Sequence, residues 1–284
     1  IEGNLLAYLG TLAATVLVWC INRKVMTGLI YNEINKVEDT KVKTVSEYRF
    51  LERFGEVGEY MRLELKMLLR NKRCKASLRS VAMLVIIFSI ILSFSSTYDH
   101  MKSFVQVYSF LGFGMVILIQ LMGFEGNYID GLMTRKESIK SLLTAKYYIY
   151  SLAEIIPLIL LIPAFVMGKA SLLGAVALIF LTTGPVYCIL FQLAVYNHKT
   201  VPLNESITGK QSMNTGMQML ISFGLFIVPT TLYGTLPMLL GQTWAYIVIL
   251  IIGLGFTLTS PMWINNVYVR FMQRRYENME GFRD

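Results

Sequence analysis

The segment FEGNYIDGLMTRKESIKSLLTAKY, residues 124–147, decides how this chain is organised, because it is a polar interruption between two strongly apolar runs. Its apolar residues recur at spacings of three and four, which places them on one face of a helix. Two short amphipathic helices are therefore predicted here, rather than a slack linker. Thr134 and Glu137 match the capping-box pattern T-x-x-E, which predicts that the second helix begins just before Arg135.

The composition is that of a protein that crosses a membrane several times. Of the 284 residues, 55% are hydrophobic and only 15% are charged, and the mean hydropathy is +0.54. A soluble domain of this size is much less apolar. The net charge of +8 would suit nucleic acid if the basic residues shared one face, but here they flank apolar runs. We expect an all-α polytopic membrane protein and no nucleic-acid partner.

The residues that usually carry catalysis or bind metals do not form a recognisable pattern in this sequence. Cys20, Cys74 and Cys188 have neither metal nor redox spacing. The P-loop pattern G-x-x-x-x-G-K-[ST] is missing, as are the patterns G-x-S-x-G and H-E-x-x-H. We therefore expect no cofactor and no enzymatic activity, so that any ATP hydrolysis would belong to a separate subunit.

Seven membrane spans are predicted, because a helix needs about 20 apolar residues to cross a hydrocarbon core about 30 Å thick. They fall at about 4–21, 80–97, 104–123, 147–167, 171–196, 218–239 and 243–264. The chain starts with Ile1, and the basic residues follow its first apolar run, which is the reverse of a signal peptide. We expect residues 1–21 to be the last transmembrane helix of a missing N-terminal half.

The distribution of lysine and arginine predicts the orientation in the membrane. If the segment 22–79 is cytoplasmic, the segments on its side hold 24 of the 26 basic residues. Only Lys102 and Lys169 then lie outside. The positive-inside rule therefore places the C-terminus and the 124–147 segment in the cytoplasm.

Residues 56–73, EVGEYMRLELKMLLRNKR, show helical periodicity just before the second predicted span. The apolar face includes Met61, Leu65 and Leu68, and the basic end includes Arg70, Lys72 and Arg73. We expect an interfacial helix that lies on the inner leaflet with its basic end near anionic headgroups. The alternative is a soluble helix that packs on a partner protein.

The last predicted hairpin contains prolines and glycines in its outer half, including Pro229, Gly234 and Pro237. Broken helices at membrane depth are tolerated only where they line a cavity or are buried in protein. One interpretation is therefore a kinked or partly re-entrant outer gate. The other is an ordinary pair of proline-kinked helices.

Glu154 is the one ionisable residue well inside a predicted span. A carboxylate in a membrane is by default a hypothesis of function, such as a proton or substrate contact. Alternatively it pairs with a polar group near the inner ends of neighbouring spans, such as Gln120 or Gln192. We favour pairing, because a single carboxylate without a charged partner in the membrane makes a poor proton relay.

From about residue 56 to residue 264 the order of parts resembles the permease half of type-2 ABC exporters. The parts are an elbow helix ending in RNKR, a pair of spans, an amphipathic cytoplasmic stretch, and four more spans with an interrupted outer region. The chain is also similar to a group of uncharacterised bacterial integral membrane proteins. The resemblance implies a cytoplasmic segment at 22–79 with the elbow helix at 56–73, a six-helix permease domain at 80–264 and a cytoplasmic tail at 265–284.

In that family the stretch after the second helix is the coupling helix, which docks on a separate ATPase subunit. The resemblance implies that the ATPase-coupling residues here are Glu125, Asp130, Leu132, Met133, Arg135, Lys136, Glu137, Ile139 and Lys140. It also implies a bacterial inner membrane location and a second six-helix half, in the same polypeptide or in a homodimer. The family commonly has proline in the turn after the coupling helix, where this chain has Lys136 and Glu137.

Three hypotheses of function follow. The leading one is the transmembrane permease component of an ATP-driven exporter, coupled to its ATPase through residues 124–147. The second is a membrane scaffold or sensor that binds a cytosolic protein through the same surface without transporting anything. The third is an ion-coupled carrier that uses Glu154.

Overall fold

A computed structural model of the chain describes residues 12, 15–17, 19, 20, 22–27, 48–94, 101–134, 136–197, 199–201 and 216–283, without the side chains of residues 136–138, 217 and 218. The regular secondary structure in these ranges is entirely helical, which confirms the all-α prediction. The chain divides into two units, Ile1–Glu47 and Tyr48–Asp284. In the first unit the described residues are helical, and most of the predicted span 4–21 lies outside them.

The second unit begins with a 3₁₀ turn, Arg49–Phe54, and contains thirteen α-helices among its described residues. The first seven are α1 (Gly55–Arg70), α2 (Lys72–Phe94), α3 (Lys102–Leu118), α4 (Ile129–Met133), α5 (Lys136–Ala153), α6 (Ile155–Leu160) and α7 (Ile162–Val166). The others are α8 (Leu172–Leu181), α9 (Tyr187–Leu193), α10 (Gly216–Leu240), α11 (Gln242–Leu258), α12 (Ser260–Gln273) and α13 (Arg275–Arg283). A second 3₁₀ turn, Glu125–Tyr128, precedes α4, and a π-helical turn, Thr182–Val186, joins α8 to α9.

Several of these helices are long and apolar enough to cross a membrane, as expected of a membrane protein. Four runs qualify within the described ranges, namely Lys72–Phe94, Ile139–Leu160, Leu172–Leu193 and Met219–Leu240. The pair α11 and α12 forms a fifth if its two helices, bent by 53°, are counted as one span. Helix α3 is apolar but shorter. The described residues thus hold four to five of the seven predicted spans.

The predicted elbow helix is shorter than expected, because α1 ends at Arg70 and a new helix starts two residues later. Asn71 has an extended backbone conformation, and its side-chain Oδ1 accepts a hydrogen bond from the Arg73 backbone N–H at 2.9 Å. Asparagine in this position caps the start of a helix. Lys72 and Arg73 therefore belong to the first turn of the span α2, not to the end of the elbow helix.

The predicted outer gate at Pro229, Gly234 and Pro237 does not have the re-entrant form. Helix α10 runs without a break from Gly216 to Leu240 and includes both Pro229 and Pro237. It ends at Gly241, whose φ of 80° lies in the left-handed region that glycine adopts easily. Gly234 lies inside the same helix. The other interpretation, a proline-containing helix pair, describes this hairpin.

The close packing of α11 on α8 depends on one glycine of α11. A Cβ atom added at Gly253 would lie 2.5 Å from the carbonyl carbon of Phe180, which is backbone of α8. Small residues at such points let the backbones of two membrane helices approach closely. A Cβ atom at Gly255, two residues further along α11, would have no neighbour within 4 Å.

Candidate functional site

Three charged side chains meet inside the protein where α1, α5 and the 3₁₀ turn Glu125–Tyr128 come together. Lys146 Nζ lies 3.0 Å from Glu64 Oε1 and 2.8 Å from Glu125 Oε1. The hydroxyl of Tyr150 donates a hydrogen bond to Glu64 Oε1 at 2.8 Å. Each of the three charged side chains is at most 2% exposed. We call Glu64, Glu125, Lys146 and Tyr150 the ionic cluster.

The helical repeat explains why these groups face one another. On α5, Ile139, Leu143, Lys146 and Tyr150 follow one another at spacings of four, three and four, so they share one face. On α1, Glu64 stands between Met61 and Leu68, which are buried in the same apolar core as Ile139 and Leu143. Because α1 packs directly against α5, the acid on one apolar face meets the base on the other.

The two carboxylates of the ionic cluster are held differently. Glu64 accepts hydrogen bonds from both Lys146 and Tyr150. Glu125 is close to Lys146, but the contact lacks hydrogen-bond alignment, and its Oε2 has no partner among the described residues. Burial raises the pKa of Glu125, against the attraction of Lys146 and together with the repulsion of Glu64. Glu125 is therefore easier to protonate than an ordinary glutamate.

We expect the stability of the protein to fall as pH rises above about 4.5, the ordinary pKa of a glutamate carboxyl. A raised pKa means that the folded state binds more protons than the unfolded state between the two pKa values, so stability decreases through that window. Glu125→Gln should flatten this dependence. A control at an exposed site of α5, Lys140→Gln, should leave the pH profile as in the unchanged protein. The measurement is the unfolding midpoint of the purified protein in detergent as a function of pH, and equal pH profiles for both variants would contradict this assignment.

A second buried polar contact lies one helical turn beyond the ionic cluster, where α5 gives way to α6. The hydroxyl of Tyr187 lies 2.6 Å from Glu154 Oε1, to which it donates, and 3.3 Å from the backbone carbonyl oxygen of Tyr150. A Cβ atom added at Gly114 would lie 2.3 Å from that hydroxyl, so only glycine leaves room for it. Tyr150 thus touches both polar contacts, with its side chain on Glu64 and its carbonyl on Tyr187.

The apolar residues predicted to meet an ATPase are covered by the chain itself. Ile139 is fully buried, and Met133 is buried in the same core cluster as the α1 side chains. Leu132 is half-buried against that cluster. Glu125 belongs to the ionic cluster and is not accessible either. These residues therefore do not form a docking face, because α1 and the C-terminal helix already pack on them.

Other polar residues of the segment, outside the ionic cluster, are exposed. Asp130 and Lys140 are exposed, and Asp130 forms an ion pair with Arg283 of α13 at 2.9 Å. Arg135 lies outside the described residues, as do the side chains of Lys136 and Glu137. The Thr134 hydroxyl donates to the carbonyl of Gly131 at 2.7 Å, in the turn before it. We call the exposed side chains of Tyr128, Asp130, Thr134 and Lys140, in the described part of this segment, its polar edge.

The elbow residues are distributed differently from the prediction. Met61 and Leu68 are buried against α5, and Leu65 is partly buried beside them, so this face contacts protein instead of lipid. Arg70 and Lys72 are exposed. Arg73 is only 8% exposed. The sequence pattern could not distinguish a face that packs on lipid from one that packs on a neighbouring helix.

The glutamines proposed as partners of Glu154 have other neighbours. Gln192 Oε1 accepts a hydrogen bond from Arg270 at 3.3 Å, and Gln120 lines a groove between α2, α3 and α10. Within the described parts of the chain, no group of three or more histidine, cysteine, aspartate or glutamate side chains could hold a metal ion.

Sequence reasoning missed Glu64, Tyr150 and Tyr187. Glu64 could have been found, because an acid at the spacing of Met61 and Leu68 lies on the apolar face of its helix. Lys146 has the same relation to Ile139 and Leu143. An acid on one buried face and a base on another predict each other as partners, since unpaired buried charges are too costly. Tyr150 and Tyr187 give no such signal, because tyrosines are common in membrane helices.

The full chain, residues 1–284, matches the model of a protein family, described as a family of unknown function (DUF5687), and the chain belongs to that family. Among curated proteins and among solved structures, no match was found.

Proposed function

We propose that this chain is the membrane permease component of an ATP-driven exporter, and that its 124–147 segment receives movement from a separate ATPase subunit. The observation that carries the proposal is the ionic cluster. It joins the elbow helix through Glu64, the 124–147 segment through Glu125, and a membrane span through Lys146. A partner that displaces the segment would displace all three elements together, which is what mechanical coupling needs.

The surface proposed for the ATPase is the exposed polar edge of the segment. Tyr128, Asp130, Thr134 and Lys140 are all exposed along it. The sequence adds Arg135 and Lys136 to this edge. Charged residues at the rim of an interface select the partner and speed up association. An ATPase with acidic groups at the matching positions would fit this edge.

The proposed orientation in the membrane is the one that the distribution of basic residues predicts. The chain lies in a bacterial inner membrane with the C-terminus in the cytoplasm. Its cytoplasmic side faces an inner leaflet with anionic lipids, and a second six-helix half, from the same polypeptide or a second copy, completes the pathway. The exposed apolar side chains of α10, such as Leu220, Phe223 and Met238, are available to lipid or to that second half.

The test is charge reversal at the proposed docking edge. Arg135→Glu with Lys136→Glu should abolish co-purification of the ATPase with the tagged full-length protein, because like charges would then face each other. The matched control is the same dipeptide in the first unit, Arg23→Glu with Lys24→Glu, which should leave co-purification intact.

Three outcomes would count against the exporter. The ATPase could stay bound to the Arg135/Lys136 variant while transport continues, or both variants could lose it equally. In the third outcome, the protein that no longer co-purifies with the Arg135/Lys136 variant is a cytosolic protein without a P-loop. That outcome would support the scaffold hypothesis. The carrier hypothesis has its own test, Glu154→Gln, since transport that is unaffected by this change eliminates it.

A further inference from the structure

The structure contains an apolar groove with a buried cation at one end. The groove has a volume of about 610 Å³ and is lined by α2, α3 and α10. Arg73 and Gln120 stand at the cytoplasmic ends of their helices on the predicted orientation. Val81, Leu111 and Phe226 line the part that lies deeper in the membrane. The groove is of the size that binds a single small molecule or one chain of a lipid.

Arg73 is a basic residue that is only 8% exposed and lines an apolar wall. Its Nη1 atom is buried and has no hydrogen-bond partner among the described residues. A buried guanidinium nitrogen without a partner is costly. The cost is removed if an anionic group occupies the groove beside it, since arginine binds phosphate and carboxylate groups through two parallel hydrogen bonds.

We propose that this groove binds an anionic membrane lipid, with the phosphate of its headgroup on Arg73 and an acyl chain along α3 and α10. Arg73 and Val81 are eight residues apart on one helix, so the groove extends about 12 Å from the cation into the apolar layer. A lipid of the inner leaflet has this layout, with its charge at the interface and its chain pointing to the bilayer centre. Anionic lipids are abundant in that leaflet.

The apolar wall distinguishes a lipid from a free anion. Phe223 is 67% exposed, and Val116 is 38% exposed on the facing helix. Both line the groove. A free phosphate would contact Arg73 alone, whereas a lipid with its phosphate on Arg73 would also place an acyl chain against these apolar side chains. The proposal does not depend on the exporter function, because it concerns only the contact between this chain and its bilayer.

The test uses the purified full-length protein and native mass spectrometry with three probes: dioleoyl phosphatidylglycerol, dioleoyl phosphatidylcholine and inorganic phosphate. We expect phosphatidylglycerol to bind in preference to the other two. Arg73→Gln should weaken that binding at least about tenfold, the effect of losing one charge-assisted contact. The matched control is Arg79→Gln, an exposed arginine on the same helix, which should bind like the unchanged protein.

A second variant tests the acyl chain separately from the charge. Val116→Trp narrows the groove at a position that is not fully buried, so the fold should tolerate it, and binding of phosphatidylglycerol should fall. The proposal is overturned if Arg73→Gln binds phosphatidylglycerol as well as Arg79→Gln does, or if phosphatidylcholine binds equally well. It is also overturned if inorganic phosphate displaces the lipid at equal concentration, or if Val116→Trp has no effect, which would leave a simple anion site.

Discussion

Replacing Lys146 by methionine is expected to destabilise the protein by about 3–5 kcal/mol, the usual cost of removing one partner from a buried ion pair. Methionine fills nearly the same volume, so the loss would come from charge and not from a cavity. Without Lys146, the carboxylates of Glu64 and Glu125 face each other in the protein interior, where each lies within 3.0 Å of the lysine nitrogen. The measurement is the free energy of unfolding in detergent micelles by denaturant titration.

The control for this prediction is Lys140→Met, on the same helix but with an exposed side chain. It should change stability by no more than about 0.5 kcal/mol, as surface substitutions usually do. Adding Glu64→Gln and Glu125→Gln to Lys146→Met should recover part of the loss, because the repulsion disappears. If Lys146→Met proved as stable as Lys140→Met, the ionic cluster would not hold α1 to α5.

The second large effect is expected at Gly253, where α11 approaches α8. Gly253→Ala would place a methyl group 2.5 Å from the Phe180 carbonyl carbon and 2.7 Å from the Leu181 backbone nitrogen. Backbone atoms in the middle of a helix cannot turn aside as a side chain would, so the two helices must separate. We expect a loss of about 1–3 kcal/mol, the usual cost of overpacking.

Gly255→Ala is the matched control for that prediction, since a Cβ atom there meets nothing within 4 Å. It should be neutral or should stabilise the protein by up to about 1 kcal/mol, because alanine favours the helix more than glycine does. Thermal unfolding of the two variants, measured side by side in the same detergent, gives the comparison. Equal midpoints would mean that the α8–α11 contact tolerates a wider separation than the structure has.

The apolar runs of the sequence predict four to five of the apolar helices that the structure describes as long enough to cross a membrane, but not where those helices begin. Hydropathy detects only the lipid-soluble part of a helix, so the fourth span was predicted from residue 147, whereas α5 begins at Lys136. The two prolines of α10 suggested a broken helix, yet the helix is continuous. A proline removes one backbone hydrogen bond, and the packing of the neighbouring helices can compensate for that loss.

Periodicity identified the apolar faces of α1 and of the 124–147 segment, but not what covers them. Met61 and Ile139 were each assigned to an external partner, lipid in one case and an ATPase in the other. In the structure they belong to one core. The apolar periodicity of one helix carries no information about which surface packs against that helix. Only the complementary charges on these faces, Glu64 and Lys146, point to the pairing of the two helices.

Site-specific photo-crosslinking in native membranes tests the proposed contact between an ATPase and the polar edge of the 124–147 segment. A photoreactive residue at Thr134, which is exposed at the end of α4, should crosslink to a protein that contains a P-loop. The same residue at Met238, which is 86% exposed at the far end of α10, should not. The proposed ATPase contact is wrong if no P-loop protein is found among the Thr134 products, or if the same P-loop protein crosslinks at both Thr134 and Met238.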